Sequence, residues 1–303
     1  MSDNFVRTKI VDHHALRELS ERSNQAGLRQ LLGHAALLLA TGLLIWQGLG
    51  SWWMLPAMLL HGIVLIFLFT PLHECIHRTA FASRRWNDGV AFLIGCLLLL
   101  PRDYFRAFHF AHHRFTQDPA RDPELAYPKP RTIRQWLWHV SGLPYWIGQS
   151  RALIDHARGK VEGNFYNNDK QRQDIAREAR IALAIYGLVL VISLLTQNAF
   201  ALFYWLLPAL LGQPFLRLYL LAEHTLCPLT DDMLANTRTT YTNAAIRFLA
   251  WNMPYHTEHH AFPSVPFHAL PRLNQLIRDQ LKVTAPGYIE VQRQVLRDIR
   301  TAA

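Results

Sequence analysis

The chain has 303 residues, half of them hydrophobic, and a formal net charge of +9. That suits one large core or a bundle of membrane helices. Its three cysteines, Cys75, Cys96 and Cys227, lie far apart without a CxxC pair. They read as free thiols of a reducing compartment and exclude a built-in iron–sulfur cluster, which needs four Cys or two Cys with two His.

Residues 1–30 carry five Lys/Arg and no apolar run of the kind a cleavable leader needs. Four segments, at about 31–50, 52–70, 181–196 and 199–221, are long and apolar enough to cross a bilayer, which takes roughly 20 residues. Pro56 falls in the second and Pro208 and Pro214 in the fourth, as kinks in membrane helices allow. The spans predict two hairpins, whose turns around 47–51 and 197–198 hold no Lys or Arg. All 31 Lys/Arg lie elsewhere: five before the first span, seventeen from Arg78 to Arg180, and nine from Arg217 onward. The positive-inside rule then places both termini and the long middle segment in the cytoplasm, for a bacterial chain at the inner membrane. It accounts for the charge without a nucleic-acid partner; a basic surface for an acidic electron-transfer protein or acyl carrier is the other reading.

Between the second and third spans, the apolar run 90–100 is too short to cross and reads as re-entrant or interfacial. Residues 131–148 mix Trp136, Trp138, Tyr145 and Trp146 with basic side chains, the composition of a segment lying along the membrane surface. Residues 150–178 are polar and predicted helical on the cytoplasmic side. In the tail, Leu270, Leu273, Leu276, Ile277 and Leu281 recur at the spacing of an amphipathic helix docked on the rest. The predicted fold is an all-α integral membrane protein, a single domain over 1–303. Four membrane helices in two hairpins lie beneath a helical cytoplasmic cap of residues 72–180 and 222–303.

Eight of the 16 histidines fall into three clusters: His73 and His77; His109, His112 and His113; His256, His259 and His260. Residues at i, i+3 and i+4 share a helix face, so each cluster can aim its imidazoles at one point. The first follows the second span and the others lie in segments read as cytoplasmic, so all eight can meet on one side. Imidazole suits Zn, Cu, Fe and Ni. One zinc takes three or four protein ligands, so eight converging rings overfill one metal and suit two. A redox pair can share the electrons that O2 activation demands, which makes two iron ions with O2 as co-substrate the expectation; manganese and copper stay open. The acids beside the clusters, Glu74, Asp118, Asp122, Glu223 and Glu258, are candidates to hold the ligating rings, or ordinary surface and cap acids. His13, His14, His34, His61, His139, His156 and His268 read as structural.

The three clusters, their order and their spacing resemble the membrane fatty acid desaturase superfamily, which includes hydroxylases and carotenoid ketolases. The third box and its lead-in, Trp251-Asn252-Met253-Pro254-Tyr255-His256-Thr257-Glu258-His259-His260, is similar to bacterial desaturases in particular. So are Phe262-Pro263-Ser264-Val265-Pro266 and the Asp118-Pro119 to Asp122-Pro123-Glu124 segment, and the likeness runs over about 30–275. The resemblance implies a further ligand between the second and third boxes, a position that His224 fits. Where acyl-CoA desaturases carry an Asn four residues before that His, this chain has Leu220; Asn252 is a candidate substitute. It also implies a double bond introduced into a fatty acyl or similar alkyl chain, with hydroxylation or ketone formation as the alternative on the same scaffold. Electrons would come from a ferredoxin, rubredoxin or flavoprotein, and the substrate could ride on an acyl carrier.

Two rival readings remain. His73-Glu74-x-x-His77 matches the zinc-protease pattern, with Glu74 as base, but leaves two HxxHH clusters without a role. A membrane metal transporter would place ligands at mid-bilayer depth rather than at the ends of the spans.

Overall fold

The computed structural model describes residues 10–163, 165–166 and 168–301; Arg7 and Lys9 of the basic N-terminal segment lie outside them. A short helix α1 (His13–Leu19) precedes α2 (Asn24–Gly48), which starts where the Ser23 hydroxyl accepts from Ala26 N–H at 3.1 Å. The second span, Met54–His77, is one rod of 24 residues with a local break. α3 (Met54–Ile66) passes into α4 (Phe69–His77) through Phe67 and Leu68. Pro71 causes the break: it has no N–H for the Phe67 carbonyl and its ring crowds that oxygen. The turn tightens to i→i−3 bonds, and the Thr70 hydroxyl donates to Phe67 O at 2.9 Å.

The fourth span, Leu202–His224, opens with a π-helical turn, Leu202–Leu206, and continues as α10 (Leu207–His224). Here Pro208 leaves Tyr204 O without its helical donor, and His61 Nε2 donates to it at 3.1 Å. Since a carbonyl only accepts, His61 Nδ1 is the acceptor for the Thr41 hydroxyl of α2 at 2.8 Å. His34 Nε2 likewise donates to Val64 O at 2.8 Å. Both histidines join membrane helices, the structural role expected of them.

α3 and α10 cross at Gly62 and Gly212. A Cβ on Gly62 would lie 2.0 Å from Pro208 O, and one on Gly212 2.1 Å from Gly62 O. Only glycine permits that backbone contact. The crossing adds a pairing that the hairpins alone do not give. α2 packs on α3, and the fourth span lies against α3 as well. The third span, α9 (Asp169–Leu195), lies against α6 (Arg102–Phe115) and α8 (Leu143–Ala157). It meets the fourth span where Tyr186 and Trp205 stand 5.8 Å apart. The outer faces of the spans present Leu39, Leu43, Leu188, Leu194 and Phe200 to the surroundings, as lipid requires.

Most of the apolar run 90–100 forms the second half of α5 (Arg84–Leu97), whose last carbonyls are capped from three directions. Tyr145 OH donates to Leu98 O, Tyr186 OH to Cys96 O and Trp205 Nε1 to Leu97 O, at 2.7–2.9 Å. The aromatic 131–148 stretch forms α7 (Ile133–Val140) and the start of α8. The helix expected over 150–178 is interrupted: α8 ends at Ala157, and α9 begins at Asp169, capped by Asn168, so the polar segment 169–180 continues straight into the third span.

After α10 come α11 (Ala244–Leu249), α12 (His256–Ala261), α13 (Leu270–Ile277) and α14 (Tyr288–Thr301). α13 buries Leu270, Leu273 and Ile277 and exposes Leu276. The all-α expectation holds among the described residues except for a parallel pair of two-residue strands, β1 (Thr239–Thr240) and β2 (Thr284–Ala285).

Candidate metal centre

Three helices and one helix end carry the clustered histidines. α4 supplies His73 and His77 and closes at Arg78 in the left-handed region (φ 61°). α6 supplies His109, His112 and His113, α12 supplies His256, His259 and His260, and α10 ends on His224. The lead-in to α12 holds two consecutive non-glycine residues at positive φ, Trp251 (48°) and Asn252 (57°). Such backbone costs on the order of 1–3 kcal/mol per residue and persists where packing enforces it. Trp251 is completely buried.

The nine rings form two adjoining sets. His73, His77, His109, His113 and His259 each offer a nitrogen within 4.8 Å of the others, as do His112, His224 and His260 in the second set. His256 joins the second set, its Nε2 3.2 Å from His224 Nε2. The sets touch where the rings of His113 and His260 stack at 4.0 Å.

Tautomers test whether these nitrogens want a cation. His224 Nδ1 faces the Asn236 carbonyl at 3.2 Å, so it carries the proton and Nε2 presents a lone pair. His112 Nδ1 faces Asp122 Oδ1 at 3.0 Å and donates in the same way. Yet the two Nε2 atoms stand only 3.2 Å apart. Two lone pairs at that distance repel unless a cation lies between them. In the first set, His113 Nε2 stands 2.9 Å from His109 Nε2 and 3.1 Å from His259 Nε2. Nitrogens bound at about 2.1 Å to one metal, at right angles, would be separated by about 3 Å. Both nitrogens of His73, and Nε2 of His77 and of His260, are buried without a hydrogen-bond partner among the described residues. The donor set fits transition metals.

Protonation of five of the rings points the same way. Burial holds His109, His113, His256, His259 and His260 well below the usual imidazole range, the neutral form that ligation requires. For His112, burial lowers the pKa, but Glu124 and Asp122 outweigh it and the net shift is upward.

The neighbouring acids divide. Asp122 is buried and grips His112, while Oδ2 accepts from Gln117 N–H at 2.8 Å. Glu223 faces His256 Nδ1 at 3.5 Å. Glu74 is spent elsewhere: it accepts from the Thr79 hydroxyl at 2.8 Å and from Phe267 N–H at 3.2 Å. Glu258 accepts from Thr239 at 2.5 Å and from Asn274. Asp118 makes a surface pair with Arg121. Asn252 donates to Phe267 O at 3.1 Å, so its amide is committed away from the histidines. Sequence reasoning missed the Asn236 carbonyl, Thr116, whose hydroxyl lies 3.2 Å from His260 Nδ1, and Glu124, 3.8 Å from His112 Nδ1. Thr116 lies just past the second box and Glu124 within a segment already read, but the Asn236 contact left no signal in the chain.

His73, His109, His112, His224 and His256 line one side of a cavity of about 320 Å³, with Leu100, Phe105, Phe108, Leu221 and Met253 among its apolar walls.

Four spanning helices with gathered imidazoles at the ends of two of them define an integral membrane protein with a metal-dependent site. Residues 50–292 match the model of the family described as fatty acid desaturase, and the chain belongs to that family of oxidoreductases. It is 26% identical to a dihydrorhizobitoxine desaturase of Bradyrhizobium elkanii, over 80% of this chain and 71% of that one. An sn-1 oleoyl-lipid 12-desaturase of a Picosynechococcus strain is 27% identical over 66% of this chain and 58% of its own length. A sphingolipid delta(4)-desaturase of Drosophila melanogaster is 25% identical over 76% and 67%.

Proposed function

We propose that this enzyme introduces a double bond into a fatty acyl or similar alkyl chain, using O2 and two irons held by the nine histidines. The observation that carries the reading is the facing of imidazole lone pairs beside an apolar cavity, in a family whose relatives here are desaturases. His73, His77, His109, His113 and His259 would hold one metal, and His112, His224, His256 and His260 the other. Bound iron supplies the reduction of O2 and the oxidising power to remove hydrogen from an unactivated C–H bond, which zinc lacks. Asp122 and the Asn236 carbonyl fix the proton on Nδ1 of His112 and His224, so Nε2 stays free to ligate. The apolar wall excludes water and aligns two neighbouring C–H bonds with the centre. Loss of both hydrogens gives the alkene; with two electrons and two protons from outside, both oxygens leave as water.

An external donor, a ferredoxin, rubredoxin or flavoprotein, supplies those electrons, and an acyl carrier is a further partner. The bilayer is a bacterial inner membrane, with both termini and the metal centre on the cytoplasmic side, a reading that the Lys/Arg distribution supports. The cap, residues 72–180 and 222–303, belongs with the spans to one domain. Glu74, held by Thr79 and Phe267, speaks against a zinc protease that would use it as base.

Mass spectrometry of lipids and small metabolites, from cells with and without the chain, tests this. The expected product is two hydrogens lighter than its precursor and forms only with O2. A product heavier by one oxygen would replace desaturation with hydroxylation.

A further inference from the structure

We propose that the cavity beside the metal centre holds its substrate by an anionic end group, a carboxylate carried by the substrate itself and bound by Arg217. This deepens the desaturase reading and rests on it.

Arg217 and His224 both line the cavity. Seven residues apart on α10, they are two turns apart on one face, a spacing of about 10 Å along the axis. The Arg217 guanidinium lies 4.6 Å from the centre of the Tyr145 ring and beside the Gln213 amide. No carboxylate among the described residues reaches ion-pair distance of it. The acids that share the cavity are turned to the histidines: Glu223 faces His256 at 3.5 Å and Glu124 faces His112 at 3.8 Å. Lys129, the other cation of the wall, donates to the His224 carbonyl at 2.8 Å.

A half-buried guanidinium two turns inside a membrane helix, with Glu124 and Glu223 near enough to feel its charge but neither in ion-pair contact with it, is costly unless a ligand brings the opposite charge to it directly. Its planar fork matches the two oxygens of a carboxylate, while the stacked Tyr145 ring fixes its plane. Arg217 therefore sets the head group, and the apolar cavity it shares with His224 takes the alkyl chain.

The test uses the metal-loaded full chain in detergent. The probes are decanoate, neutral N-(2-hydroxyethyl)decanamide and dioctanoylphosphatidylglycerol, and binding is read by calorimetry and by the shift in thermal midpoint. Wild type, Arg217→Gln and Arg217→Lys are compared in the same micelles, so partitioning cancels. Decanoate is expected to bind on the order of tenfold more weakly to Arg217→Gln, with partial recovery in Arg217→Lys and no change for the neutral amide. Should Arg217→Gln fail to fold, Arg217→Lys against the neutral amide carries the same comparison. Equal decanoate binding to wild type and variant, or an equal loss for the amide, overturns the assignment. Dependence on Arg217 for phosphatidylglycerol alone also overturns it, since the site would then hold a bilayer phosphate. Double-bond formation is measured separately: Arg217-dependent binding without any alkene would defeat the desaturase reading and leave the anion site standing.

Discussion

Replacing Asp122 by Asn keeps the side chain's shape and removes its charge. In the native protein Oδ1 accepts from His112 Nδ1 at 3.0 Å and from Glu124 N–H at 2.9 Å, and Oδ2 accepts from Gln117 N–H at 2.8 Å. All three partners donate, so no orientation of an Asn amide suits them. With its NH2 toward Gln117, a backbone donor in a buried turn is orphaned. With its NH2 toward His112, the imidazole is driven to the other tautomer, with its proton on the Nε2 that faces His224. Either way a charge-assisted bond worth about 1.5–3 kcal/mol is lost, and losing such a partner costs roughly 10–100-fold in metal affinity. Glu124, 3.8 Å from His112 Nδ1, takes over part of the role, so a loss of about tenfold is expected. Competition titration against a chelator measures it, with the set that includes His259 as internal reference. One of two metal equivalents should weaken and desaturation should fall with it. An Asp122→Asn protein holding both equivalents at native affinity would refute the reasoning.

Glu74→Gln keeps an oxygen for Thr79 and Phe267 and should retain metal and desaturation to within about threefold, whereas loss of a general base costs about 10²–10⁴-fold; turnover measured beside metal content separates the two. Gly62→Val drives a side chain into Pro208 O, 2.0 Å from where its Cβ would stand. It should destabilise the chain by about 1–3 kcal/mol or more and lower its thermal midpoint; an unchanged midpoint would mean that α3 and α10 do not touch as described.

The histidine boxes were legible because their spacing is the spacing of a helix face, and α4, α6 and α12 present them so. His224 stands alone in sequence, and only the family resemblance singled it out. Asp118 and Asp122 each precede a proline, yet one pairs with Arg121 at the surface while the other is buried against His112; no local pattern tells them apart, because the turn around Gln117 decides which carboxylate faces inward. Asn252 looked like a ligand substitute from its distance to His256, but its left-handed backbone turns the amide to Phe267 O. The four spans were visible from hydropathy, although α9 starts well before residue 181 because a polar helix joins it without a break. Their partners were not visible. The Gly62–Gly212 contact that sets α10 against α3 depends on two glycines whose register across helices hydropathy does not encode.

The most direct test of the central claim is metal analysis with X-ray absorption on the chain purified from iron-replete cells. Two irons per chain, each surrounded by nitrogen at about 2.1 Å, are expected. A single zinc per chain, or bound metal that survives loss of His112 and His259 together, would contradict it.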